Sequence, residues 1–331
     1  MKRIAIIGLG KMGLLHASLL STIPEVKLVA LCEKSGLIRR FSKSILSGMP
    51  IVNSISNLSG FNLDAVYITT PPSSHLAILR ALFAEGICSD VFVEKPLANN
   101  LMESKEISNL PTKLGIDSIN MVGYNRRFSV TFKKAKEIID EGVLGEPVSF
   151  EGYAFSSAFV SGDNSMKIAG RGGVIKDLAC HAIDLVLWYL ENINIGSILS
   201  SQVSTSGAID SASFELSSGK ELRGQIKASW IESNYRLPEI GLIMEGRKGV
   251  TLTVNDDKLE LRMKGGERKV WYKHDLNDTV NFVLGGTDYL REDEAFISAI
   301  TNRKAIEPNF NTAQTVDEII HQAEIRIVGQ S

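Results

Sequence analysis

The sequence predicts an α/β protein in which a doubly wound parallel sheet precedes a second, α+β domain with a large, mostly antiparallel open sheet. Three observations support this fold class. A glycine-rich turn follows the first apolar run, short apolar runs alternate with helical patterns up to Gly123, and runs that alternate apolar and polar residues follow one another from Glu146 onward. With 331 residues the chain is long enough for two domains, which we place at 1–123 and 124–331.

The first domain is predicted to consist of right-handed βαβ units, because strand patterns and helix patterns alternate along it. The predicted strands are Arg3–Ile7, Val26–Leu31, Ile51–Val52, Asp64–Thr70, Val91–Val93 and Ile119–Gly123. The predicted helices are Leu14–Ser21, Leu37–Ser47, Leu76–Glu85 and Ser104–Leu114. Pro111 is expected to shorten or bend the last of these helices.

The second domain begins with a predicted helix at Val130–Glu141, and a long helix at Lys176–Leu190 interrupts its strands. Many of the strands alternate apolar and polar residues, which is typical of a sheet with one covered face. The predicted strands are Val148–Phe155, Gly196–Thr205, Ser211–Ser217, Glu221–Trp230, Glu239–Glu245, Gly249–Val254, Leu259–Met263 and Lys269–Lys273. Helices at Asp288–Asn302 and Thr312–Val328 follow, and the last helix is a candidate to pack back on the first domain.

A glycine-rich run, Gly8-Leu9-Gly10-Lys11-Met12-Gly13, follows the first strand directly and leads into the first helix. This order of strand, turn and helix is the one that binds a dinucleotide pyrophosphate. Gly8 permits the tight turn, Gly10 lets the backbone approach the phosphates, and Gly13 lets the helix pack on the strand. The helix N-terminus offers free N–H groups and a partial positive charge. An ordinary βα turn of another parallel-sheet protein is the alternative.

Two further features favour the dinucleotide interpretation. The glycine run belongs to the first strand of the sequence, and Glu33 lies twenty residues after Gly13, at the end of the second strand. A carboxylate at this place accepts hydrogen bonds from the adenosine ribose hydroxyls. We therefore predict a dinucleotide-binding Rossmann domain at 1–123, with Glu33 and all six residues of the run at the cofactor.

The segment from Thr69 to His75 lies between the end of a strand and the start of a helix. Ligands of open parallel sheets bind outside the carboxyl ends of the strands, so the hydroxyls of this segment could face the nicotinamide ribose. The residues that we predict at the cofactor here are Thr69, Thr70, Pro71 and His75. A plain helix cap by Ser73 or Ser74 is the alternative, and both can hold at once.

The triplet Glu94-Lys95-Pro96 closes the strand Val91–Val93. Two charges directly after three apolar residues indicate a cleft. A lysine there would bring its ammonium group to the nicotinamide, where it can hydrogen-bond a reacting hydroxyl and stabilise the developing alkoxide. We predict that Glu94 and Lys95 lie at the cofactor and that Lys95 is catalytic. A surface ion pair at the end of a strand is the alternative.

The long predicted helix of the second domain carries Asp177, His181 and Asp184. Asp177 and His181 are spaced i, i+4 and therefore share one helix face. His181 could take a hydroxyl proton, while Asp177 could orient the ring or bind the substrate. The alternative is a helix of mixed polarity with an ion pair and no chemistry. The other histidines are scattered along the sequence, so we predict no metal site.

Composition and charge exclude several classes of protein. The formal net charge is −2, which provides no basic field for nucleic acid or for an anionic membrane. Cys32, Cys88 and Cys180 are scattered and odd in number, which favours free thiols in a reducing compartment. No signal peptide and no apolar run long enough to span a bilayer is visible. We therefore expect a cytoplasmic protein without a nucleic-acid or membrane partner.

Together these motifs resemble the glucose–fructose oxidoreductase, inositol dehydrogenase and related (Gfo/Idh/MocA) family, over essentially the whole chain. The Glu-Lys-Pro triplet and the Asp-x-x-x-His helix are the most specific of the motifs. The segments that carry the resemblance are Gly8–Gly13, Thr70–His75, Glu94–Ala98, Gly123–Phe128, Gly172–Asp184 and Phe296–Pro308.

The resemblance implies roles for individual residues. It implies that Lys95 contacts the reacting hydroxyl, and that its bond to the following proline is often cis. It also implies that His181 is the general acid or base and that Asp177 binds substrate or positions the ring. Asn125 would lie near the cofactor and Arg127 near the substrate.

An interdomain ion pair is the alternative for Arg126 and Arg127. Members of the family are commonly dimers or tetramers. We therefore expect a homodimer or homotetramer, in which the broad sheet of the second domain pairs two subunits.

NAD is the cofactor that we predict, although many family members carry Asp where this chain has Glu33. A glutamate can still bind ribose hydroxyls and would repel the 2′-phosphate of NADP. Lys34, Arg39 and Arg40 stand close to it in the sequence and could instead suit NADP, which is the alternative cofactor.

We hypothesise an NAD(P)-dependent dehydrogenase that oxidises a secondary hydroxyl of a sugar, a sugar derivative or a cyclitol. One alternative is an NAD(P)-binding sensor or corepressor without turnover, against which the intact Lys95, Asp177 and His181 argue. The other is an NAD-dependent redox glycosidase of the same fold. The loops Ser156–Arg171 and Asn234–Pro238 would distinguish individual hydroxyls, and no motif in them identifies the substrate.

Overall fold

A computed structural model of the chain describes residues 1–46, 48–160, 172–190, 192–204, 207–219, 221–235, 237–276 and 286–329. The chain forms two compact units. The first comprises Met1–Asn125 and Val280–Asp317, and the second comprises Arg126–Thr279 and Glu318–Ser331. Each unit therefore contains two separate stretches of the sequence. In the described ranges, no helix is both long and apolar enough to cross a membrane.

The first unit contains a six-stranded parallel sheet, which confirms the predicted Rossmann fold. Its strands are β1 (Lys2–Ile7), β2 (Val26–Cys32), β3 (Ile51–Val52), β4 (Ala65–Ile68), β5 (Val91–Val93) and β6 (Asn120–Val122). Their order in the sheet is β3-β2-β1-β4-β5-β6. The order reverses direction between β1 and β4, and ligands of open α/β sheets bind at such a switch point.

The helices of this unit are α1 (Lys11–Leu20), α2 (Gly36–Ile45), α3 (His75–Ala84) and α4 (Leu101–Leu114), followed much later in the chain by α7 (Thr287–Asn302). Helix α4 begins at an Asn100 cap, which accepts a hydrogen bond from the Glu103 N–H group at 3.0 Å. Pro111 lies inside α4, which extends to Leu114, so the expectation that this proline shortens the helix is wrong. The proline removes the hydrogen bond of its own missing N–H group, but the helix continues for three residues after it.

The second unit contains an eight-stranded sheet in the order β14-β13-β12-β11-β7-β10-β9-β8. Its strands are β7 (Pro147–Phe155), β8 (Asn194–Val203), β9 (Ile209–Ser218), β10 (Leu222–Ser229), β11 (Glu239–Gly246), β12 (Thr251–Asn255), β13 (Lys258–Arg262) and β14 (Arg268–Tyr272). All neighbours are antiparallel except β7 and β10, which confirms the predicted mostly antiparallel sheet.

Helices α5 (Val130–Asp140) and α6 (Cys180–Tyr189) belong to the second unit, and α6 packs on β7 and β11. Along β7 the side of Phe150 and Ala154 is buried, while Glu151 and Tyr153 lie on the opposite, more open face. The last helix, α8 (Phe310–Val328), contributes residues 310–317 to the first unit and the remainder to the second.

Candidate active site

The glycine turn after β1 has the geometry of a phosphate-binding turn. Gly8 has a φ of +97°, and a Cβ atom there would lie 2.7 Å from the Thr70 side chain. A Cβ atom at Gly13 would lie 1.9 Å from the carbonyl oxygen of Gly8. Packing therefore requires glycine at both positions. At Gly10, however, a Cβ atom would have no atom of the described residues within 4 Å. The open space beside Gly10 at the start of α1 fits a pyrophosphate that approaches the backbone.

Glu33, at the end of β2, is tied to this turn. Its Oε2 atom accepts a hydrogen bond from the Leu9 N–H group at 2.8 Å, and its Oε1 atom accepts one from the Ser35 N–H group at 2.8 Å. Arg39 donates to the carbonyl oxygens of Glu33 and Lys34 at 2.8 and 2.7 Å. The Nη1 atom of Arg39 is thus engaged with the backbone, whereas the carboxylate of Glu33 lies beside the glycine turn.

The segment after β4 supports the same turn. The Thr69 hydroxyl donates to the Gly8 carbonyl oxygen at 2.7 Å, so it holds the glycine turn in place. His75 is buried, and its ring nitrogens lie 3.0 Å from the Leu97 carbonyl oxygen and 2.8 Å from that of Thr70. The His75 side chain therefore joins two of the predicted cofactor segments. Roles at the cofactor for Thr69, Thr70, Pro71 and His75 remain predictions.

The alternative of a serine cap on α3 is not supported. Ser74 occupies the N-cap position, but its side chain accepts no hydrogen bond from the helix. Its hydroxyl oxygen instead lies within hydrogen-bond distance of Pro71 O, at 2.8 Å, and of Thr70 Oγ1, at 2.7 Å. Ser74 thus stabilises the loop before the helix rather than the helix itself.

The Glu94-Lys95-Pro96 turn after β5 is largely buried. Glu94 is only 8% exposed, which does not fit the alternative of a surface ion pair. Its Oε1 atom lies 3.1 Å from Nε2 of His16, and its Oε2 atom accepts a hydrogen bond from the Lys95 N–H group at 3.2 Å. The Lys95–Pro96 peptide bond is cis. Because β1, β4 and β5 are neighbours, the glycine turn, the Thr69 loop and Lys95 follow the same edge of the sheet.

Sequence reasoning missed a buried polar cluster behind this turn. His16, Glu292 and Asp293 are each 0% exposed, and Nδ1 of His16 lies 2.8 Å from Oδ1 of Asp293. Asn125, a predicted cofactor residue, is 1% exposed and donates from its amide to Asp288. The sequence pattern of α7 could have predicted this cluster, because Glu292 and Asp293 occupy helix positions that otherwise carry buried apolar residues.

Glu292 is unusual because neither of its carboxylate oxygens has a hydrogen-bond partner among the described residues. Burial raises its pKa well above the usual value of 4.5, and the negative charges of Glu94 and Asp293 raise it further. The folded protein therefore keeps this carboxyl protonated at pH values where the unfolded chain has released the proton.

We expect Glu292→Gln to become more stable, relative to the unchanged protein, as pH rises above about 4.5. In this pH range the free energy of unfolding of the unchanged protein falls by up to about 1.4 kcal/mol per pH unit, because unfolding releases the proton of Glu292. Glutamine does not titrate, so the variant lacks this pH dependence. Urea unfolding at pH 5 and pH 7 measures the difference, for which we expect about 1–2 kcal/mol. Glu318→Gln, a change on another helix, is the control; an equal stability gain for Glu292→Gln at both pH values would contradict the prediction.

The helix that carries the predicted acid–base pair begins with a π-helical turn. Ile175–Ala179 are π-helical, and the α-helical part, α6, starts at Cys180. The expectation of a continuous α-helix from Lys176 is therefore wrong for its first turn, which contains Asp177. Such π turns insert one extra residue and occur frequently at functional sites. His181 is 7% exposed in α6, one turn after the half-buried Asp177.

The two arginines after β6 form ion pairs within the second unit. Arg127 is 5% exposed and donates to both oxygens of Asp184, at distances from 2.6 to 3.1 Å. Its guanidinium carbon also lies 5.6 Å from the ring centre of Trp188. Arg126 donates to Asp256 at 2.9 Å. Arg127 therefore anchors helix α6 one turn after His181.

Two elements of the prediction lie partly outside the described residues. Of the loops expected to contact the substrate, residues 161–171 and residue 236 are not among them. Within the described ranges, no group of three or more histidine, cysteine, aspartate or glutamate side chains is arranged to hold a metal ion.

Known proteins show clear similarity to both parts of the chain. Residues 2–119 match the GFO_IDH_MocA model, described as an oxidoreductase family with an NAD-binding Rossmann fold, and residues 132–251 match the GFO/IDH/MocA C-terminal domain. The chain is 30% identical over 190 residues to scyllo-inositol 2-dehydrogenase (NAD(+)) of Bacillus subtilis, which covers 57% of this chain and 54% of that protein. It is 25% identical over 327 residues to inositol 2-dehydrogenase of Rhizobium meliloti, which covers 93% and 92%.

Solved structures show the same fold. A levoglucosan dehydrogenase in complex with NADH and levoglucosan has a TM-score of 0.85 at 19% identity, covering 100% of this chain and 98% of that one. Apo scyllo-inositol dehydrogenase from Lactobacillus casei has a TM-score of 0.79 at 17% identity. Both family models, together with the two sheets described above, lead to one conclusion: the chain belongs to the Gfo/Idh/MocA oxidoreductase family, with an NAD-binding Rossmann fold and the family's C-terminal domain.

Proposed function

We propose that the protein is an NAD-dependent dehydrogenase that oxidises a secondary hydroxyl of a sugar, a sugar derivative or a cyclitol. The position of Lys95 carries the proposal. It directly follows β5, at the sheet edge that also holds the glycine turn after β1 and the Thr69 loop after β4. Ligands of open parallel sheets bind at this edge. Relatives named for inositol and levoglucosan, which are cyclic polyhydroxy compounds, support the substrate class.

The residues present fit a bound NAD. The backbone N–H groups from Gly10 to Gly13, at the start of α1, would hold the pyrophosphate, and Glu33 would accept hydrogen bonds from the adenosine ribose. Thr69, Thr70, Pro71, His75, Glu94 and Asn125 would shape the nicotinamide end. When bound, NAD supplies the ring that accepts a hydride from the alcohol carbon.

Three side chains of this chain would act on the substrate oxygen. His181 would accept the hydroxyl proton, because imidazole titrates near neutral pH. The Lys95 ammonium group would donate a hydrogen bond to the oxygen as negative charge develops on it. Asp177 would orient His181 or bind a neighbouring hydroxyl. Arg127 is proposed near the substrate, and its bonds to Asp184 support the His181 helix in either case.

A direct assay tests this function. Purified protein is mixed with NAD or NADP and a panel of aldoses, inositols, anhydrosugars, deoxy sugars and nucleotide sugars, and the absorbance of reduced nicotinamide is followed. We expect turnover with NAD and at least one member of the panel. Binding of NAD without turnover on any member would overturn the dehydrogenase and favour a sensor, whereas glycosidic cleavage that requires the bound cofactor would favour a redox glycosidase.

Glu33 is proposed to select NAD over NADP. Its carboxylate lies beside the glycine turn and would repel a 2′-phosphate, while Arg39 is held by two carbonyl oxygens. We expect Glu33→Gln to lower the ratio of kcat/KM for NAD to that for NADP by roughly tenfold, since one charge repulsion in a partly exposed site is worth about 1–2 kcal/mol. Glu25→Gln, on an exposed residue before β2, is the control. An unchanged ratio would show that Glu33 does not select the cofactor.

We propose a homodimer or homotetramer that pairs through the open face of the second unit's sheet. Glu151 on this face accepts a hydrogen bond from Gln225 at 2.7 Å and forms an ion pair with Lys227 at 2.8 Å, so the face carries charges of both signs that the same face of a second copy could pair. Light scattering after size-exclusion chromatography should give two or four times the chain mass. A monomeric mass at micromolar concentration would reject the proposal.

A further inference from the structure

His16 lies in a continuous line of hydrogen bonds that ends at the backbone of Lys95. Its Nδ1 atom is 2.8 Å from Oδ1 of Asp293 on α7, and its Nε2 atom is 3.1 Å from Oε1 of Glu94. The other oxygen of Glu94 accepts the N–H group of Lys95 at 3.2 Å. All four residues belong to the first unit. The line therefore connects helix α7, helix α1 and the turn after β5.

The geometry requires two protons between these three side chains. Each ring nitrogen of His16 faces a carboxylate oxygen, and ionised carboxylates only accept hydrogen bonds. Either His16 carries both protons between two carboxylates, or a neutral ring is combined with one protonated carboxyl group. In both cases His16 separates two acidic groups that would otherwise repel each other in a buried space.

The surroundings favour the charged form of His16. Burial alone would lower its pKa, but the charge and hydrogen bond of Asp293, together with those of Glu94, bring the pKa well above 6.5. The ring is enclosed by Tyr67 and Phe92, with ring centres at 5.4 and 5.0 Å. Two further acidic groups, Asp288 and Glu292, lie in the same helix as Asp293, and Glu292 is fully buried. Such pairing is little screened by solvent.

We propose that His16, held by Asp293, is a positioning residue that fixes the Glu94-Lys95-Pro96 turn through Glu94. The inference rests on the proposed function only in that Lys95 is taken as the catalytic group. A shift of this turn moves the Lys95 ammonium group away from the reacting oxygen, and a displacement of about 1 Å can cost about 100-fold in rate. The glycine turn stays in place, because Thr69 and Glu33 hold it independently.

The test uses Asp293→Asn in the full chain, because it keeps the size of the side chain and removes the charge that holds the ring. Glu292→Gln is the matched control: it is the adjacent acidic residue of α7, is equally buried, and lies outside the hydrogen-bonded line. We expect Asp293→Asn to lower kcat by roughly 100-fold, with the Kd for NAD within about twofold. Glu292→Gln should keep kcat within about twofold of the unchanged protein. Equal kcat values for the two variants would overturn the inference.

Two further measurements do not depend on turnover. Nitrogen-15 NMR of labelled histidine should show that His16 keeps both ring protons to a higher pH in the unchanged protein than in Asp293→Asn, because Asp293 raises the pKa of the ring. A crystal structure of Asp293→Asn should show the Glu94-Lys95-Pro96 turn displaced, and an unmoved turn would overturn the inference. If the unchanged protein shows no dehydrogenase activity, the proposed function fails, while these two measurements still decide the role of His16.

Discussion

Replacing Lys95 by alanine is expected to lower kcat by about 100- to 1,000-fold and to change the Kd for NAD by less than about threefold. The loss of one preorganised donor to a developing oxyanion has an effect of this size. NAD would be held mainly by backbone groups of the glycine turn and by Glu33, which the substitution does not touch. Steady-state kinetics measure kcat, and quenching of the protein's intrinsic fluorescence on titration with NAD measures the Kd.

Lys113→Ala provides the control, because Lys113 is exposed in the last turn of α4 and is not one of the predicted site residues. We expect its kcat and Kd to equal those of the unchanged protein within error. A Lys95→Ala variant with full turnover would remove Lys95 from the mechanism. A variant with normal kcat but much weaker NAD binding would assign Lys95 to the cofactor alone.

Replacing Asp184 by leucine is expected to reduce the free energy of unfolding by about 3–5 kcal/mol, because it leaves the buried guanidinium group of Arg127 without a carboxylate. Both side chains are nearly inaccessible, at 5% and 0% exposure, and the pair is bidentate. Urea unfolding at pH 7 measures the loss. Replacing Glu137, which pairs with Lys134 on an exposed helix face, should cost less than about 0.5 kcal/mol.

The double variant Arg127→Met with Asp184→Leu separates the two roles proposed for Arg127. Well-packed apolar residues in place of a buried ion pair are often neutral, so we expect most of the stability to return. A raised KM for the substrate in this stable variant would support contact between Arg127 and the substrate. Stability as low as in the single variant would contradict the expectation that apolar side chains can replace this buried ion pair.

The parallel sheet, the dinucleotide motif and the family could be predicted from the sequence because each depends on short-range patterns. Three glycines at fixed spacing determine a turn that other residues cannot form: at Gly13 any Cβ atom would collide with the Gly8 carbonyl oxygen. Continuous apolar runs such as β4 and β5 are typical of strands buried on both faces. The position of Glu33 beside the glycine turn could also be predicted, because the length of one βαβ unit sets its distance from the motif in the sequence.

Local patterns were not sufficient where the backbone departs from regular geometry. The π-helical turn that contains Asp177 has no propensity signature, and the helical spacing of Asp177 and His181 predicted an α-helix throughout. Likewise, β7 and β10 pair in parallel within an otherwise antiparallel sheet, although their alternation of apolar and polar residues matches that of their neighbours. Pairing partners far apart in sequence leave no mark on the pattern of either strand.

The polar interactions inside the first unit were decided by the tertiary structure alone. His16 and Asp293 are 277 positions apart, and the sequence around either residue does not show which side chain it meets. The two side chains can be buried because they pair with each other: the Asp293 carboxylate lies within hydrogen-bond distance of the His16 imidazole. Without this partner, the removal of either charge from water would be costly. The sequence thus determined the fold class, the glycine turn and the family, through spacing and residue type. The tertiary structure determined which buried charges compensate one another, because that depends on distance in space and on the exclusion of water.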